Sequence, residues 1–232
     1  MAYEPNAHEV QMKILREMLF VPKSTFAALQ KATELTSDHA NFHIKKLVEV
    51  GYVEKNADGY VLTRDGKEYA NRMDTDEAKI EKQPKISVLL IVDDKDGKSL
   101  AQQRLKQPYY GFWGRMSGKV RWGETLEQAA NRELEEETGL TADFEYSGLY
   151  HKMDYTKDGS LLEDKYFMVM YGVNPRGEFI VDAEGHHNEF LSIAELVAKD
   201  KVFQMIPEVT AFAKSGNGTL FEKQHEYMPD EY

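Results

Sequence analysis

Three glutamates, Glu133, Glu136 and Glu137, stand at i, i+3 and i+4 within the stretch GKVRWGETLEQAANRELEEETGL that runs from Gly118 to Leu140. No other feature constrains the chain as much. On a helix of about 3.6 residues per turn the three carboxylates leave one face within an arc of roughly 100°. Like charges so spaced repel by a few tenths of a kcal/mol, a cost that a bound cation reverses. Hard oxygen ligands suit Mg²⁺ or Mn²⁺, and Mg²⁺ prefers a few carboxylates together with water and substrate phosphates. Such a ligand set is incomplete until a phosphate arrives.

An acidic run alone is most often a solvated helix face. The frame around this one argues otherwise: Gly118, Glu124, Arg132, Glu133, Glu136, Glu137 and Gly139 keep fixed spacings, with apolar Leu134 and Leu140 between and after them. At ordinary usage of about 6% per residue type, chance would produce this in roughly one chain in 10⁷. The stretch resembles the Nudix box, G-x5-E-x7-R-E-U-x-E-E-x-G-U with U a bulky aliphatic residue, and matches every defined position. The resemblance implies a helix from about Thr125 to Thr138, capped by Thr125 and ended by Gly139. It makes Glu133, Glu136 and Glu137 the metal ligands, with the Gly118 backbone close to the Mg²⁺ or Mn²⁺ ion. Arg132 orients the carboxylates through charge-assisted hydrogen bonds, Glu124 is structural, and Leu134 and Leu140 are core.

A chain of 232 residues suits two domains. The polar segment Asn71 to Pro84 (NRMDTDEAKIEKQP) is the candidate boundary. The expected division is a first domain at 1–74, a linker at 75–84, a second domain at 85–214 and a tail at 215–232, either helical or disordered. Of the net charge of −11, residues 84–232 hold the larger part, with 17 basic and 26 acidic side chains against 12 and 14 in residues 1–83. Cysteine is absent, which excludes disulfides and thiolate metal sites. The start, MAYEPNAHEV, has no basic-then-apolar leader, and no apolar run reaches membrane-span length. A cytoplasmic protein with no membrane partner is expected.

In the second domain, Ile86 to Val92 reads as a buried strand, followed by a turn at DDKDG and a return strand from Ser99 to Leu105. Phe144 to Lys152, Tyr166 to Val173 and a short stretch near Phe179 read as further strands, and Ser192 to Lys199 as a helix. A mixed sheet between helices, an α/β/α sandwich of the α+β class, fits this order and is the fold the Nudix resemblance implies. Downstream, Glu184 stands six residues before Phe190. In mutator-type Nudix pyrophosphohydrolases an acid so placed faces the metal and helps activate water, so Glu184 shares candidacy for the general base with Glu137, with Glu189 as competitor. His186 and His187 read as idle loop histidines. Met116 and Ser117 replace the family's usual Pro-Gly before the box glycine. Trp113, with Phe112, Tyr109 and Tyr110, is a candidate to stack a nucleobase, core packing being the alternative. Arg115, Lys119 and Arg121 are candidates for substrate phosphates. The implied activity is Mg²⁺-dependent cleavage of a pyrophosphate linkage in a nucleoside diphosphate-linked or nucleoside triphosphate substrate.

The first domain reads as three helices, holding Val10 to Leu19, Phe26 with Leu29, and Ala40 to Leu47. Ser24 and Ser37 are the expected caps of the second and third. A hairpin turning at Asp58-Gly59 follows, then a helix capped by Thr63. HIKKLVEVGYVEK and GYVLTRDGKEYA are similar to the recognition-helix and wing segments of bacterial winged helix-turn-helix regulators. That resemblance implies duplex DNA as partner, contacted by His39, Asn41, Lys45 and Lys46 on the recognition helix and Lys55 on the wing. The domain's net charge of −2 opposes it, because DNA affinity rests on counterion release. The competing use is homodimerisation or docking onto the Nudix domain, with Phe42 as contact. Two functions follow: an enzyme with an appended winged helix, or a DNA-binding regulator that senses a nucleotide. The complete box favours the enzyme.

Overall fold

A computed structural model describes residues 8–228 and 231–232. Residues 1–7 of the expected first domain and 229–230 of the expected tail lie outside the described residues. The chain divides into two compact units, Met1–Lys82 and Gln83–Tyr232.

The first unit runs α1 (Glu9–Leu19), α2 (Phe26–Thr33), α3 (Ser37–Glu49), β1 (Val53–Asn56), β2 (Gly59–Leu62) and α4 (Arg64–Ala70). Apolar residues at helical spacing, Ile14, Leu15, Met18, Leu29, Ile44 and Leu47, point inward and form its core. Thr63 caps α4 as expected, its hydroxyl accepting from Gly66 N at 3.0 Å. The other two caps shift by one residue. Thr25 caps α2, and Thr36 precedes α3 without a side-chain capping bond. Ser24 instead pairs its backbone with Tyr60, 2.9 Å each way, which ties the hairpin to the helices. The expected linker is also revised. Residues 73–80 form a small hairpin of β3 (Met73–Asp74) and β4 (Lys79–Ile80), because Met73 is buried in the first unit's core with Ala78 and Ile80 against it.

The second unit continues β5 (Lys85–Val92), β6 (Ser99–Arg104), β7 (Trp113–Gly114), β8 (Met116–Lys119), α5 (Leu126–Thr138), β9 (Leu140–Thr156) and β10 (Leu161–Gly177). It ends with β11 (Asp182–Ala183), β12 (His186–Leu191), α6 (Ile193–Val197), α7 (Ile206–Ser215) and β13 (Leu220–Tyr227). A five-stranded sheet has the order β13-β9-β10-β5-β8, with β10 and β5 parallel, β13 and β9 parallel, and the other pairs antiparallel. Along β5, Val88, Leu90 and Val92 face Ala129, Ala130 and Leu134 of α5. The alternate residues Leu89 and Ile91 join Val209 and Ala213 of α7 on the other face. The sheet is therefore sandwiched between helices, and burial on both faces explains why β5 reads as an unbroken apolar run. A second sheet, β11-β12-β6-β7, stands beside it.

Two expectations are overturned here. No strand forms at Phe179; residues 178–181 are irregular, because Ile180 is held at the end of α5 by its N–H to Thr138 O at 2.9 Å. The expected C-terminal tail contains a strand: β13 pairs in parallel with β9 from Leu220↔Leu149 to Tyr227↔Thr156. It buries His225 and Tyr227.

Candidate active site

Helix α5 starts in a capping box, with Gln128 N donating to Thr125 Oγ1 at 3.3 Å and Thr125 N to Gln128 Oε1 at 2.9 Å. It ends at Gly139, whose φ of +70° suits glycine. Its acidic face lies against the loop end of β8. A β-carbon at Gly118 would stand 1.9 Å from Glu133 Cδ, so only glycine lets the carboxylate lie on the backbone there.

Arg132 organises this face. Its guanidinium donates to Glu124 at 2.5 Å, Glu133 at 2.7 Å, Glu136 at 3.2 Å and the Lys119 carbonyl at 2.9 Å. Glu124 is the anchor, its carboxyl held down to about 2, chiefly by Arg132. Arg121 spans both Glu136 oxygens at 3.1 Å. Glu133 and Glu136 are thus neutralised by arginines.

Glu137 differs. It is half-buried and lines a cleft of about 340 Å³. Burial pushes its carboxyl up, partly offset by Gln102 Nε2, which donates to Oε2 at 2.8 Å. Gln102 also donates to Asn188 Oδ1 at 3.1 Å, and Asn188 Nδ2 donates to the Glu137 carbonyl at 2.8 Å. His186 Nδ1 lies 3.7 Å from Glu137 Oε2. That contact would be an ion pair with a charged ring, but burial, with Lys106 and Arg104 nearby, presses the imidazole down to about 4. The ring is neutral at pH 7.

Cations dominate the cleft. Lys85, Arg104, Lys106, Arg115, Lys119, Lys152 and Lys165 line it, against the acids Glu137 and Glu163. In a unit whose overall charge is negative this is a local inversion, and charges focused in a concave site attract polyanions. Tyr109, Phe112, Phe167 and Phe203 supply apolar wall.

The residues singled out from sequence fall as follows. Glu133, Glu136 and Glu137 share the α5 face, but only Glu137 and the Gly118 backbone line the cleft. Lys119 lines it and is exposed. Arg115 forms a buried wall, donating to Thr210 Oγ1 at 3.1 and 3.0 Å and to the Leu100 carbonyl at 2.8 Å. Arg121 lies outside, on Glu136. Of the two fates open to Trp113, stacking on a nucleobase or core packing, the structure has the second: it is outside the cleft too, packed among Leu191, Leu196 and Ile206 with Lys199 Nζ 4.2 Å above its ring. Tyr109 and Phe112 line the cleft instead, each largely buried among Tyr227 and Phe203. Glu184 is exposed in the turn between β11 and β12 and does not line the cleft. His186, expected to be idle, takes the place beside Glu137, because side chains alternate along β12 and the even positions His186 and Asn188 point inward. In the first unit His39, Lys45, Lys46 and Lys55 are exposed and Asn41 is half-buried, while Lys46 is paired with Glu49 at 2.6 Å. Sequence reasoning missed Gln102, Arg104, Asn188, Lys152 and Lys165, which come from strands whose register no local signal reveals, and Lys106 in the bend after β6.

The donor set at α5 fits a hard divalent ion in kind, since every side-chain donor is a carboxylate and Gly118 leaves room for backbone approach. Among the described residues no three acidic or histidine side chains converge as a ready-made metal cluster; Arg121 and Arg132 hold Glu136 and Glu133 instead.

The three-layer sandwich with its acidic helix at the cleft is a Nudix domain. A NUDIX domain family model matches residues 83–211, more than half of the chain, and the chain belongs to that family. Residues 1–73 match a family described as a domain of unknown function, DUF7347. The chain is 33% identical over 131 residues to the NAD-capped RNA hydrolase NudC of Mannheimia succiniciproducens, covering 54% of this chain and 45% of that protein. It therefore spans less than half of that relative's length. It is 28% identical over 142 residues to the ADP-ribose pyrophosphatase of Methanocaldococcus jannaschii, covering 59% and 81%. Among solved structures it is similar to the Nudix domain of Shewanella oneidensis NrtR complexed with ADP ribose, at 17% identity and a TM-score of 0.49, covering 66% and 98%. No described helix is long and apolar enough to cross a membrane.

Proposed function

We propose that this chain is a Mg²⁺- or Mn²⁺-dependent hydrolase that cleaves the phosphoanhydride bond of a nucleoside diphosphate-linked or nucleoside triphosphate substrate. The observation that carries the reading is the cationic cleft of an acidic unit, with the desolvated Glu137 carboxylate in its wall. Glu133, Glu136 and Glu137, with the Gly118 backbone, would hold the ion, which when bound neutralises phosphate oxygens and makes water more acidic. Arg132, anchored on Glu124, orients the carboxylates. Arg104 and Lys106, within electrostatic reach of Glu137, draw the diphosphate in. Water attacks one phosphorus, the bridging P–O bond breaks with its electron pair leaving on the other phosphate, and Glu137 accepts the water proton. Its half-buried place in the cleft wall suits that task better than the exposed turn that holds Glu184. Neutral His186 packs beside the general base, its Nδ1 buried 3.7 Å from Glu137 Oε2 and without a hydrogen-bond partner among the described residues. Tyr109 and Phe112 hold the base.

The relatives named for NAD-capped RNA and ADP-ribose make diphosphate-bridged nucleotides the first compounds to assay. Phosphate-ester release from such a panel, with nucleoside triphosphates included, should require Mg²⁺ or Mn²⁺ and fall at least about a hundredfold in Glu136→Gln and Glu137→Gln. Turnover untouched by both substitutions would remove the assignment.

We further propose that the first unit is a winged helix-turn-helix module, with α3 as recognition helix and the β1–β2 hairpin as wing. Exposed His39, Phe42, Lys45 and Lys46 on one helix followed by Lys55 on a hairpin support it. A DNA-binding regulator with a nucleotide-sensing Nudix domain is the second reading. Selection of genomic fragments at moderate salt, with and without nucleotide, should enrich one sequence and weaken on Lys45→Ala; no enrichment leaves α3 and Phe42 as a protein contact.

A further inference from the structure

A row of lysines crosses the five-stranded sheet on its cleft side. In strand register, Lys85 of β5 stands opposite Lys165 of β10, and Lys165 opposite Lys152 of β9. Directly opposed residues project from the same face, and adjacent strands lie about 4.8 Å apart, so the three ammonium stems rise side by side over about 10 Å. All three line the cleft. They grade in depth, with side chains 53%, 25% and 5% exposed for Lys85, Lys165 and Lys152.

Like charges directly opposite one another destabilise a sheet, and the next row answers only in part. Glu163 and Asp154, themselves opposed, provide two carboxylates: Glu163 pairs with Lys85 at 3.1 Å and with Lys165, and Asp154 pairs with Lys152. On the edge strand β8, Lys119 stands opposite Ser87, two residues from Lys85 on the same face, and also lines the cleft. No acid pairs with it among the described residues. Lys152 is buried on Asp154, so the charges open to a ligand are those of Lys85, Lys165 and Lys119 against Glu163, about two positive in sum, which matches a phosphomonoester of about −1.5 to −2 at pH 7. A carboxylate or the monoanionic arm of a phosphodiester would leave one charge over. Arg104 is within electrostatic reach of both Glu163 and Glu137, so the row and Glu137 belong to one cleft.

We infer that Lys85, Lys165, Lys152 and Lys119 form a second anion subsite that takes a phosphomonoester carried by the substrate away from its scissile anhydride. The substrate class is then a nucleotide bearing an extra phosphate, for instance on a ribose hydroxyl. This rests on the proposed function for the identity of the cleft, but its test does not need turnover.

Calorimetric titration of the full chain, without metal, compares adenosine 5′-monophosphate with adenosine 2′,5′-bisphosphate and 3′,5′-bisphosphate. At least one bisphosphate should bind about tenfold or more tightly than the monophosphate, with the advantage removed in Lys85→Gln/Lys165→Gln and retained in Lys165→Arg. Equal affinity for all three compounds, no binding by any, or an advantage that survives the double substitution would overturn the subsite. An advantage seen in a chain with no hydrolytic activity would uphold the subsite and fail the enzyme.

Discussion

Glu133 rests on Gly118, with no room between them for a β-carbon, which would come 1.9 Å from the carboxyl carbon. The contact makes the box glycine a positioning residue for a carboxylate. Gly118→Ala should push Glu133 and its Arg132 partner aside by about an ångström and lower metal-dependent turnover about a hundredfold. The thermal midpoint should move little, since Gly118 is partly exposed. Steady-state kinetics with a Mn²⁺ titration checks this; unchanged activity would mean that Glu133 is not used where it lies.

The pair of His186 and Glu137 makes the metal-free protein's stability depend on pH. His186 titrates near 4 when folded and near 6.5 when unfolded. Between those values only the unfolded chain holds the extra proton, so stability falls as pH drops from about 6.5 to about 4. His186→Asn should flatten that slope in urea melts recorded with a chelator present. Glu137 has the opposite sign. Its folded pKa is raised by burial, so its contribution is present below the unfolded value and lost as pH rises through the folded one. Glu137→Gln should therefore raise the neutral-pH unfolding midpoint while reducing activity, a trade expected where a site is destabilised for function.

Asp154 is fully buried and accepts from Tyr109 OH at 2.6 Å and from Lys152, which is 4% exposed. Asp154→Asn leaves that ammonium buried without its counter-charge. Chemical unfolding should show a loss of about 3–5 kcal/mol. A loss under 1 kcal/mol would indicate that Lys152 has another partner or escapes to solvent.

In the first unit, helix α4 contains Gly66, where alanine normally gains about 1 kcal/mol. Here a β-carbon would come 1.9 Å from the Tyr52 carbonyl oxygen. Gly66→Ala should instead destabilise by about 1–3 kcal/mol, read as a lower unfolding midpoint. A stabilised variant would show that α4 does not sit that close to the hairpin.

Local signals were legible where one element sufficed. The β5 run and the hairpin at Asp58-Gly59 follow from an apolar run and turn chemistry within a few residues, and the α5 helix with its Thr125 cap and Gly139 stop follows from the resemblance carried by the box residues. The two 17-residue strands β9 and β10 are legible only in their apolar middles, because their ends carry charged residues such as Asp154, Glu163 and Lys165. Those residues are stable in strands only as partners across the sheet. The C-terminal strand was missed for the same reason: LFEKQHEY has little strand character until β9 offers it hydrogen bonds.

By itself, then, the order of residues determined which helix gathers carboxylates, since the spacing of Glu133, Glu136 and Glu137 and the turns of one helix are the same information. Only the tertiary structure decided which of the three faces the cleft, that His186 and not Glu184 stands beside it, that Trp113 is buried elsewhere, and that four lysines from four strands share one wall. Register and packing join positions up to about a hundred residues apart, such as Arg115 and Thr210, and no local pattern carries that information.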